Sequence, residues 1–260
     1  MIKIILYFSA TGNSKYVAER IAIETEEKTV SMEKLIKDGI SELDLSGERR
    51  IGMVFPTYFG GLPHPVREFF KKVKIVTGNR EDGIQVFFVT TYGGFTGQIG
   101  RQLRSVLKEN NMAIDLMHSV KMPDTWTPLF NVGDKEDNKK ILDSSDRKID
   151  EIIKSILKEE KGNYLKNKLP LILSKIIYPM YDNARKTKNL MVNSMCTGCG
   201  ICEQKCTEGV IKLQENGLPL WTTDKCAMCL RCLHSCPQFS ISYKNKTEKN
   251  GQYINPRTDI

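Results

Sequence analysis

The sequence lacks an apolar run long enough to cross a membrane. Its longest apolar runs, residues 169–173 and 176–178, are separated by Ser174 and Lys175 and are much shorter than the ~20 residues that a spanning helix needs. The first residues are apolar, but no basic segment precedes them, which favours a buried strand over a signal peptide. We therefore expect a cytoplasmic protein with no membrane span.

Motifs for hydrolysis and phosphoryl transfer are also missing. The sequence contains no nucleotide P-loop, no GxSxG and no HExxH, the patterns that carry those reactions. Its three histidines, His64, His118 and His234, pair with no serine or cysteine in a recognisable nucleophile motif. We expect these histidines to be structural, and the two reaction classes have no support.

Cysteine is absent from the first 195 residues, and all eight cysteines lie between Cys196 and Cys236. Charge is uneven as well: residues 1–160 hold 24 Lys and Arg against 24 Asp and Glu, whereas residues 161–260 hold 15 against 7. Clustered thiols in a cytoplasmic chain more often hold metal than form disulfides. The C-terminal part is therefore expected to bind metal.

The first 160 residues alternate short apolar runs with amphipathic segments. The runs predict strands at residues 2–8, 28–31, 49–55, 84–91 and 113–121. The amphipathic segments predict helices at residues 15–23, 65–73, 97–110 and 138–158. This pattern is typical of an α/β fold, a doubly wound sheet of five parallel strands covered on both faces. Ligands bind such sheets beyond the C-terminal strand ends, where the strand order reverses.

The loop after the first predicted strand is rich in hydrogen-bond donors and precedes a helix. Its candidate ligands are Ser9, Thr11, Gly12, Asn13 and Ser14. Hydroxyls and free amides at a helix N-terminus favour anions, although the same residues also serve as ordinary turns and caps. Without the lysine of a P-loop or the three glycines of a dinucleotide site, the loop suits a single terminal phosphate.

Two further loops place aromatic residues beside glycines at strand ends. They contain Pro56, Thr57, Tyr58, Phe59 and Gly60 in the first and Thr91, Tyr92, Gly93 and Gly94 in the second. Glycine lets the backbone approach a ligand closely. Together with the phosphate loop, they predict a site for a flat ring that carries a phosphate tail.

Residues 1–160 resemble flavodoxin, in which loops after the first, third and fourth strands hold FMN. The resemblance implies that residues 9–14 bind the phosphate and that Tyr58 and Tyr92 stack on the isoalloxazine ring. Either tyrosine is alternatively a loop residue that covers the sheet edge. Trp126, after another predicted strand, either covers the cofactor or anchors its loop. Flavodoxins are usually acidic around the flavin, whereas this half is neutral.

The cysteines form two runs with the same spacing, Cys196, Cys199, Cys202 and Cys206, then Cys226, Cys229, Cys232 and Cys236. In such runs three cysteines grip one [4Fe–4S] cube and the fourth reaches the other cube. One cluster would therefore take Cys196, Cys199, Cys202 and Cys236, and the other Cys206, Cys226, Cys229 and Cys232. Zinc sites usually present two CxxC pairs separated by a longer loop. Residues 193–245 resemble a bacterial two-cluster ferredoxin, with Thr207 where a proline normally follows the fourth cysteine.

Nearly the whole chain resembles a family of flavodoxin/ferredoxin fusion proteins that are found mainly in anaerobic prokaryotes. The resemblance implies an FMN domain at residues 1–160, a basic, partly helical linker at 161–192, a small α+β ferredoxin domain at 193–245 and a polar tail at 246–260. It implies electron transfer between FMN and two [4Fe–4S] clusters, with redox partner proteins, and it leaves open a homodimer. Two alternatives are a flavoenzyme that reduces an organic substrate or uses NAD(P)H, and a redox sensor or nucleic-acid-binding protein with structural clusters.

The linker is basic and apolar. Between residues 161 and 200, seven Lys and Arg face Asp182 alone. This charge favours a solvated linker or the docking of an acidic electron carrier, and less well nucleic acid, because no basic-aromatic recognition pattern accompanies it. Short distances between cofactors require the linker to hold the two halves together. We therefore expect Leu169, Leu171, Ile172, Ile176 and Ile177 to be buried between them.

Overall fold

The computed structural model describes residues 3–77, 84–244 and 247–260. Residue 2 of the first predicted strand and the predicted boundary at residues 245 and 246 lie outside these ranges.

The first part of the chain alternates strands and helices. In chain order it forms β1 (Ile4–Tyr7), α1 (Asn13–Thr25), β2 (Lys28–Ser31), α2 (Met32–Lys37), β3 (Glu42–Leu45), β4 (Arg50–Pro56), α3 (His64–Lys72), β5 (Lys74–Thr77), β6 (Gln85–Tyr92), α4 (Ile99–Glu109), β7 (Leu116–Lys121), α5 (Lys135–Leu157) and β8 (Gly162–Asn163).

The main sheet is parallel and has six strands, in the order β2-β1-β4-β6-β7-β8. The α/β prediction is thus confirmed, but the prediction of five strands is wrong by one. The sixth strand, β8, is only two residues long and pairs with the start of β7, too short to leave an alternating pattern in the sequence. The pair β3-β5 forms a separate parallel ribbon, and its strands, like the six-residue α2, were not predicted.

Two apolar cores cover the two faces of the sheet. Successive side chains of a strand point to opposite faces: Leu6 and Phe88 lie in one core, whereas Ile5 and Phe87 lie in the other. Helices α3 and α4 cover the first face, and α1 and α5 cover the second. This double coverage explains why the strands are continuous apolar runs.

The second part of the chain has short elements. They are α6 (Leu171–Ala184), β9 (Leu190–Val192), α7 (Ile201–Gln204), β10 (Ile211–Leu213), β11 (Pro219–Trp221), α8 (Arg231–His234) and β12 (Ile241–Tyr243). Strand β9 pairs antiparallel with β12, and β10 pairs antiparallel with β11. A third apolar core lies here and includes cysteine side chains. No helix of the described residues is long and apolar enough to cross a membrane.

Helix α6 joins the two parts, but not by the residues that were expected to be buried. Leu171, Ile172 and Ile176 are exposed, and Leu169 and Ile177 are only half-buried, so that prediction is wrong. The buried face of α6 instead carries Ser174, Tyr181 and Ala184. The inner side of the helix is thus filled by a tyrosine and small residues, which leaves the apolar side outside.

The last residues pack against both parts. Asn250 Nδ2 donates to the carbonyl of Thr127 at 2.6 Å, and Gln252 Nε2 donates to the carbonyl of Leu233 at 2.6 Å. Arg257 pairs with Asp143 and Asp146 of α5. Residues 247–260 therefore lie on the folded surface and contact residues from distant parts of the sequence.

Candidate cofactor sites

A large cavity opens at the C-terminal ends of β1, β4, β6 and β7. Its volume is about 1270 Å³ when the solvent space at its mouth is included. Every residue predicted to hold FMN lines it except Gly12. The cavity lies where the chain passes from β2 on one side of β1 to β4 on the other, the position at which ligands bind doubly wound sheets.

Gly12 does not line the cavity but lies at the end of the loop that is predicted to hold phosphate. It is the N-cap of α1 with φ +94°, and a Cβ here would lie 2.9 Å from Asn255 Cβ. The first N–H groups of a helix have no partner within the helix, so α1 presents free donors at this loop. Ser14 Oγ and Thr91 Oγ1 are 2.7 Å apart and tie this loop to the loop after β6.

The side chain of Asn13 is engaged by three other parts of the chain. Its Nδ2 donates to the carbonyl of Pro123 at 3.0 Å, and its Oδ1 accepts from Tyr253 Oη at 2.8 Å and from Asn255 Nδ2 at 3.0 Å. Three of its four hydrogen-bonding positions are thus used by contacts within the protein. Asn13 can therefore offer a phosphate its backbone N–H, while its side chain holds the loop in place.

The aromatic residues of the cavity form a connected cluster. Tyr58 meets Tyr181 edge to face at 5.8 Å, and Phe59 stacks on Tyr181 at 5.5 Å. Trp126 lies 5.2 Å from Phe59 and 5.6 Å from Tyr243. Trp126 therefore both lines the cavity and anchors its loop. Tyr92 also lines the cavity, and burial raises its pKa and that of Tyr58.

Asp124 is the one acidic or basic side chain among the described residues that line this cavity. Burial raises its pKa, although its carboxylate accepts a hydrogen bond from the backbone N–H of Trp126 at 2.7 Å. Its Oδ2 occupies the space that a Cβ on Gly93 would need, so glycine is required there. Sequence reasoning did not single out Asp124, because the contact with Gly93 joins two loops that are distant in the chain.

The eight cysteines surround two smaller cavities of about 340 Å³ each, again including open solvent space. One is lined by Cys196, Cys199, Cys202 and Cys236. The other is lined by Cys206, Cys226, Cys229 and Cys232. These are the two crossed sets that the spacing predicts. None of the cysteines forms a disulfide.

In each set the thiols surround a cavity and do not converge on a single point. No group of three or more His, Cys, Asp or Glu among the described residues is arranged to hold a single metal ion. Four thiols around a cavity suit a cubane cluster, which is larger than one ion and takes only thiolate ligands. The residues therefore fit [4Fe–4S] clusters better than zinc.

The second set is the more deeply buried. Burial raises the pKa of Cys226 to about 12 and that of Cys229 to about 11, whereas Cys199 of the first set is exposed. Thiols with such raised pKa values become thiolates only when a cation offsets the charge. Thr207, which replaces the usual proline, has its Oγ1 3.5 Å from Cys229 Sγ and is placed to donate to it.

The second cysteine cavity adjoins the large cavity. Met228, Cys229 and Leu230 line both, and Cys229 also packs against the core of the sheet. The two sites therefore share one wall, which is three residues of a single loop.

Arg231 joins that wall to the loop of residues 9–14. Its Nε donates to the carbonyl of Ala10 at 2.9 Å, its Nη2 donates to the carbonyl of Ser9, and it forms an ion pair with Glu33 at 2.9 Å. Both side chains of this pair are nearly buried. An arginine between two cysteines of the second run thus contacts the loop predicted to hold phosphate.

Tyr181 of α6 makes a second bridge. Its hydroxyl accepts a hydrogen bond from the backbone N–H of His64 at 3.0 Å and donates one to the carbonyl of Ala227 at 2.7 Å. Nearby, the His64 ring and the Glu208 carboxylate are within hydrogen-bonding distance. His234 Nε2 donates to the carbonyl of Thr125 at 2.9 Å. The two halves of the molecule are thereby held together at several points around the shared wall.

Comparison with known proteins identifies a family and several similar proteins. A family model for the flavodoxin domain matches residues 4–151. The pyruvate synthase subunit PorD of Methanocaldococcus jannaschii is 32% identical over 90 residues, which are 35% of this chain and 90% of that protein. Among solved structures, a flavodoxin from the domain Archaea is 18% identical and covers 59% of this chain and 99% of its own, with a TM-score of 0.34. An FMN-dependent NADH-azoreductase from Bacillus anthracis, in complex with FMN, is 10% identical and covers 60% of this chain and 99% of its own, with a TM-score of 0.34.

Proposed function

Because the chain belongs to the flavodoxin family, we propose that it transfers electrons between FMN in the large cavity and two [4Fe–4S] clusters held by its cysteines. The observation that carries this proposal is the shared wall, since Met228, Cys229 and Leu230 line both the large cavity and the second cysteine cavity. Electron tunnelling needs short separations, and a shared wall provides one. The protein would couple two-electron and one-electron carriers in anaerobic metabolism.

The chain's residues have separate roles at the large cavity. The phosphate would be held by the hydroxyls of Ser9 and Thr11 and by the free N–H groups at the start of α1. These groups donate hydrogen bonds to a phosphate, and no lysine is among the described residues that line the cavity. Three aromatic side chains would pack against the ring, those of Tyr58, Phe59 and Tyr92. The other lining residues of the same two loops would enclose it: Pro56, Thr57, Gly60, Thr91, Gly93 and Gly94. Bound FMN would supply the exchange of two electrons with one carrier and of single electrons with another.

The two cysteine sets would hold one cluster near the flavin and one cluster farther from it. The set of Cys206, Cys226, Cys229 and Cys232 would hold the near cluster, because it contains the cysteine of the shared wall. The set of Cys196, Cys199, Cys202 and Cys236 would hold the far cluster, beside which Cys199 is exposed. The exposed end offers a place where a redox partner protein exchanges electrons. PorD is a subunit of pyruvate synthase by name, and a multi-subunit redox enzyme is the kind of partner we propose here.

The test is anaerobic flash reduction of the flavin in the purified holoprotein at several protein concentrations. We expect a rise of reduced cluster whose rate does not depend on protein concentration, because Arg231 and Tyr181 hold the two sites together. A rate that scales with concentration contradicts internal transfer. So does an absence of cluster reduction when the cluster potential lies above that of the flavin.

The mouth of the large cavity supports a second candidate function, reduction of a small organic molecule at the flavin. Leu129 and Phe130 line the cavity and are exposed by 74% and 46%, so the interior communicates with solvent. A flavoenzyme would oxidise its reduced flavin with such a molecule in the absence of any protein partner. Stopped-flow mixing of the reduced protein with candidate acceptors separates this function from electron transfer to proteins alone.

A further inference from the structure

Helix α6 carries an exposed apolar face. Ile172, Ile176 and Met180 follow one another at four-residue spacing and are exposed by 78%, 61% and 56%, so they form one ridge along the helix. Leu171 and Leu173, on either side of Ile172, are also exposed. Burial of such side chains is favourable, and a contiguous exposed apolar patch marks a site of interaction.

The chain that leads into α6 and through most of it, residues 161–181, is basic. Between residues 161 and 181 there are four lysines and no Asp or Glu. Lys161, Lys166, Lys168 and Lys175 are all exposed. The segment therefore presents apolar side chains together with uncompensated positive charge, the combination that is typical of helices lying at an anionic membrane surface.

The apolar face continues to the mouth of the large cavity. Met180 and Ile177 of α6 line that cavity together with Leu129 and Phe130. Two separate parts of the chain thus contribute exposed apolar side chains to one side of the molecule. We call the set of Leu171, Ile172, Leu173, Ile176, Met180, Lys166, Lys168 and Lys175 the α6 surface.

We propose that the α6 surface binds an anionic lipid bilayer, with α6 lying in the plane of the interface. The direction of the side chains favours lipid over the groove of a protein. Leu171, Ile172 and Leu173 are consecutive and spread over roughly 200° of the helix circumference, an arc that fluid lipid can surround but one rigid groove cannot. A symmetric dimer would place the lysines of two copies against each other.

The test is cosedimentation of the full-length holoprotein with vesicles. One set of vesicles is phosphatidylcholine alone, and the other is an equal mixture of phosphatidylcholine and phosphatidylglycerol. We expect binding to the mixed vesicles that weakens with added salt, and much weaker binding to phosphatidylcholine. Ile172→Glu should lower the affinity by about tenfold or more, and Lys168→Gln and Lys175→Gln by about fivefold each.

The matched control is Ile23→Glu. Ile23 is 72% exposed on α1, almost as much as Ile172, but it does not belong to the α6 surface. This variant should bind the mixed vesicles like the unchanged protein. Iron and FMN contents and circular dichroism establish that each variant is folded, and they keep this test separate from that of electron transfer.

Three outcomes would overturn the proposal. The first is no binding of the unchanged protein to mixed vesicles at low salt. The second is an equal loss of binding in Ile172→Glu and Ile23→Glu. The third is a dimer, detected by light scattering, that Ile172→Glu dissociates without any effect on vesicle binding, since a second copy would then cover the surface.

Discussion

The sheet region and the cysteine region reach a folded state by different means. The six-stranded sheet buries two apolar cores made from its own strands and helices. The third core, around the cysteines, includes cysteine side chains and is packed by Tyr58, Phe59 and Trp126 of the sheet region. The sheet region can thus rely on apolar burial, whereas the cysteine region depends on its ligands and on its neighbour.

Size explains this difference. A segment of roughly 50 residues buries too small a share of its surface to be stable by apolar contacts alone, and such domains usually need metals, disulfides or partners. The cysteines form no disulfides. Clusters and docking onto the sheet are therefore the expected sources of its stability, and removing either should affect the two regions unequally.

The largest effect is expected from loss of a cluster ligand. Cys206→Ala should remove about half of the iron and lower amide protection in β9 and β12, but not in β4 and β6, because metal binding supplies folding free energy to the region that holds it. Iron and sulfide analysis with hydrogen exchange measures both effects.

Double variants test the crossed ligand sets. The double variant that combines Cys206→Ala with Cys226→Ala should lose no more iron than either single variant, since both cysteines line one cavity. Cys206→Ala combined with Cys196→Ala should lose nearly all of it. The opposite pattern would mean that each run of cysteines holds its own cluster.

The next largest effect is expected where the regions are joined. Glu33→Gln leaves the nearly buried Arg231 guanidinium without its carboxylate and should lower the free energy of unfolding by about 3 kcal/mol, because a buried charge then lacks its partner. Chemical denaturation followed by far-UV circular dichroism measures this change.

Glu42→Gln is the control for that change. Its ion pair with Lys74 is 2.9 Å long, but both side chains are more than half exposed, so the loss should stay below about 1 kcal/mol. An equal loss in the two variants would show that the pair of Arg231 and Glu33 holds the regions together no better than an exposed ion pair.

Acid should weaken the sheet region through one buried histidine. His118 of β7 stacks on Tyr164, and neither ring nitrogen has a hydrogen-bond partner among the described residues. Burial, with a smaller contribution from Lys148, lowers the pKa of His118 to about 4, while Glu160 and Glu151 oppose the shift. The unfolded chain, with an ordinary histidine pKa of about 6.5, therefore binds the proton first.

Stability from this group is thus present above pH ~6.5 and is lost as the pH falls toward 4. Between pH 7.5 and 5.5 the loss should be about 1 kcal/mol. His118→Phe keeps a ring in place without titrating, and it should remove this part of the pH dependence in denaturation curves measured at both values. An unchanged dependence would mean that His118 is not its source.

The sheet and its loops were predictable because the signals are local. Apolar runs and amphipathic segments each fit within about ten residues, and the strand ends then place the loops at one edge. The segments of the sheet region that were missed, α2, β3, β5 and β8, have two to six residues, which is too few to show a period. The spacing within each cysteine run is also local, and the cysteines lie around the two cavities in the crossed sets that this spacing predicts.

The contacts between the regions were not predictable in this way. Arg231 reaches Ser9 and Ala10, and Asn255 reaches Asn13, over more than 200 residues of chain. No local pattern marks an arginine or an asparagine for such a role. Burial of the apolar side of α6 was expected for a general reason, that apolar residues lie inside, but the tyrosines of α6 occupy the inner side instead.

The smallest effect is expected at Thr207, where the sequence departs from the ferredoxin pattern. Its hydroxyl lies 3.5 Å from Cys229 Sγ, and a donor to a cluster sulfur favours the reduced, more negative state. Thr207→Val should therefore lower the potential of the near cluster, by at most about 40 mV, which corresponds to the ~1 kcal/mol of one hydrogen bond. Ser240 Oγ lies 3.1 Å from Cys236 Sγ in the other set, so Ser240→Ala should shift the far cluster instead. Anaerobic redox titrations that resolve the two clusters measure both changes. If both variants shift the same cluster, the division into a near and a far set is wrong, because each hydroxyl contacts a cysteine of only one cavity.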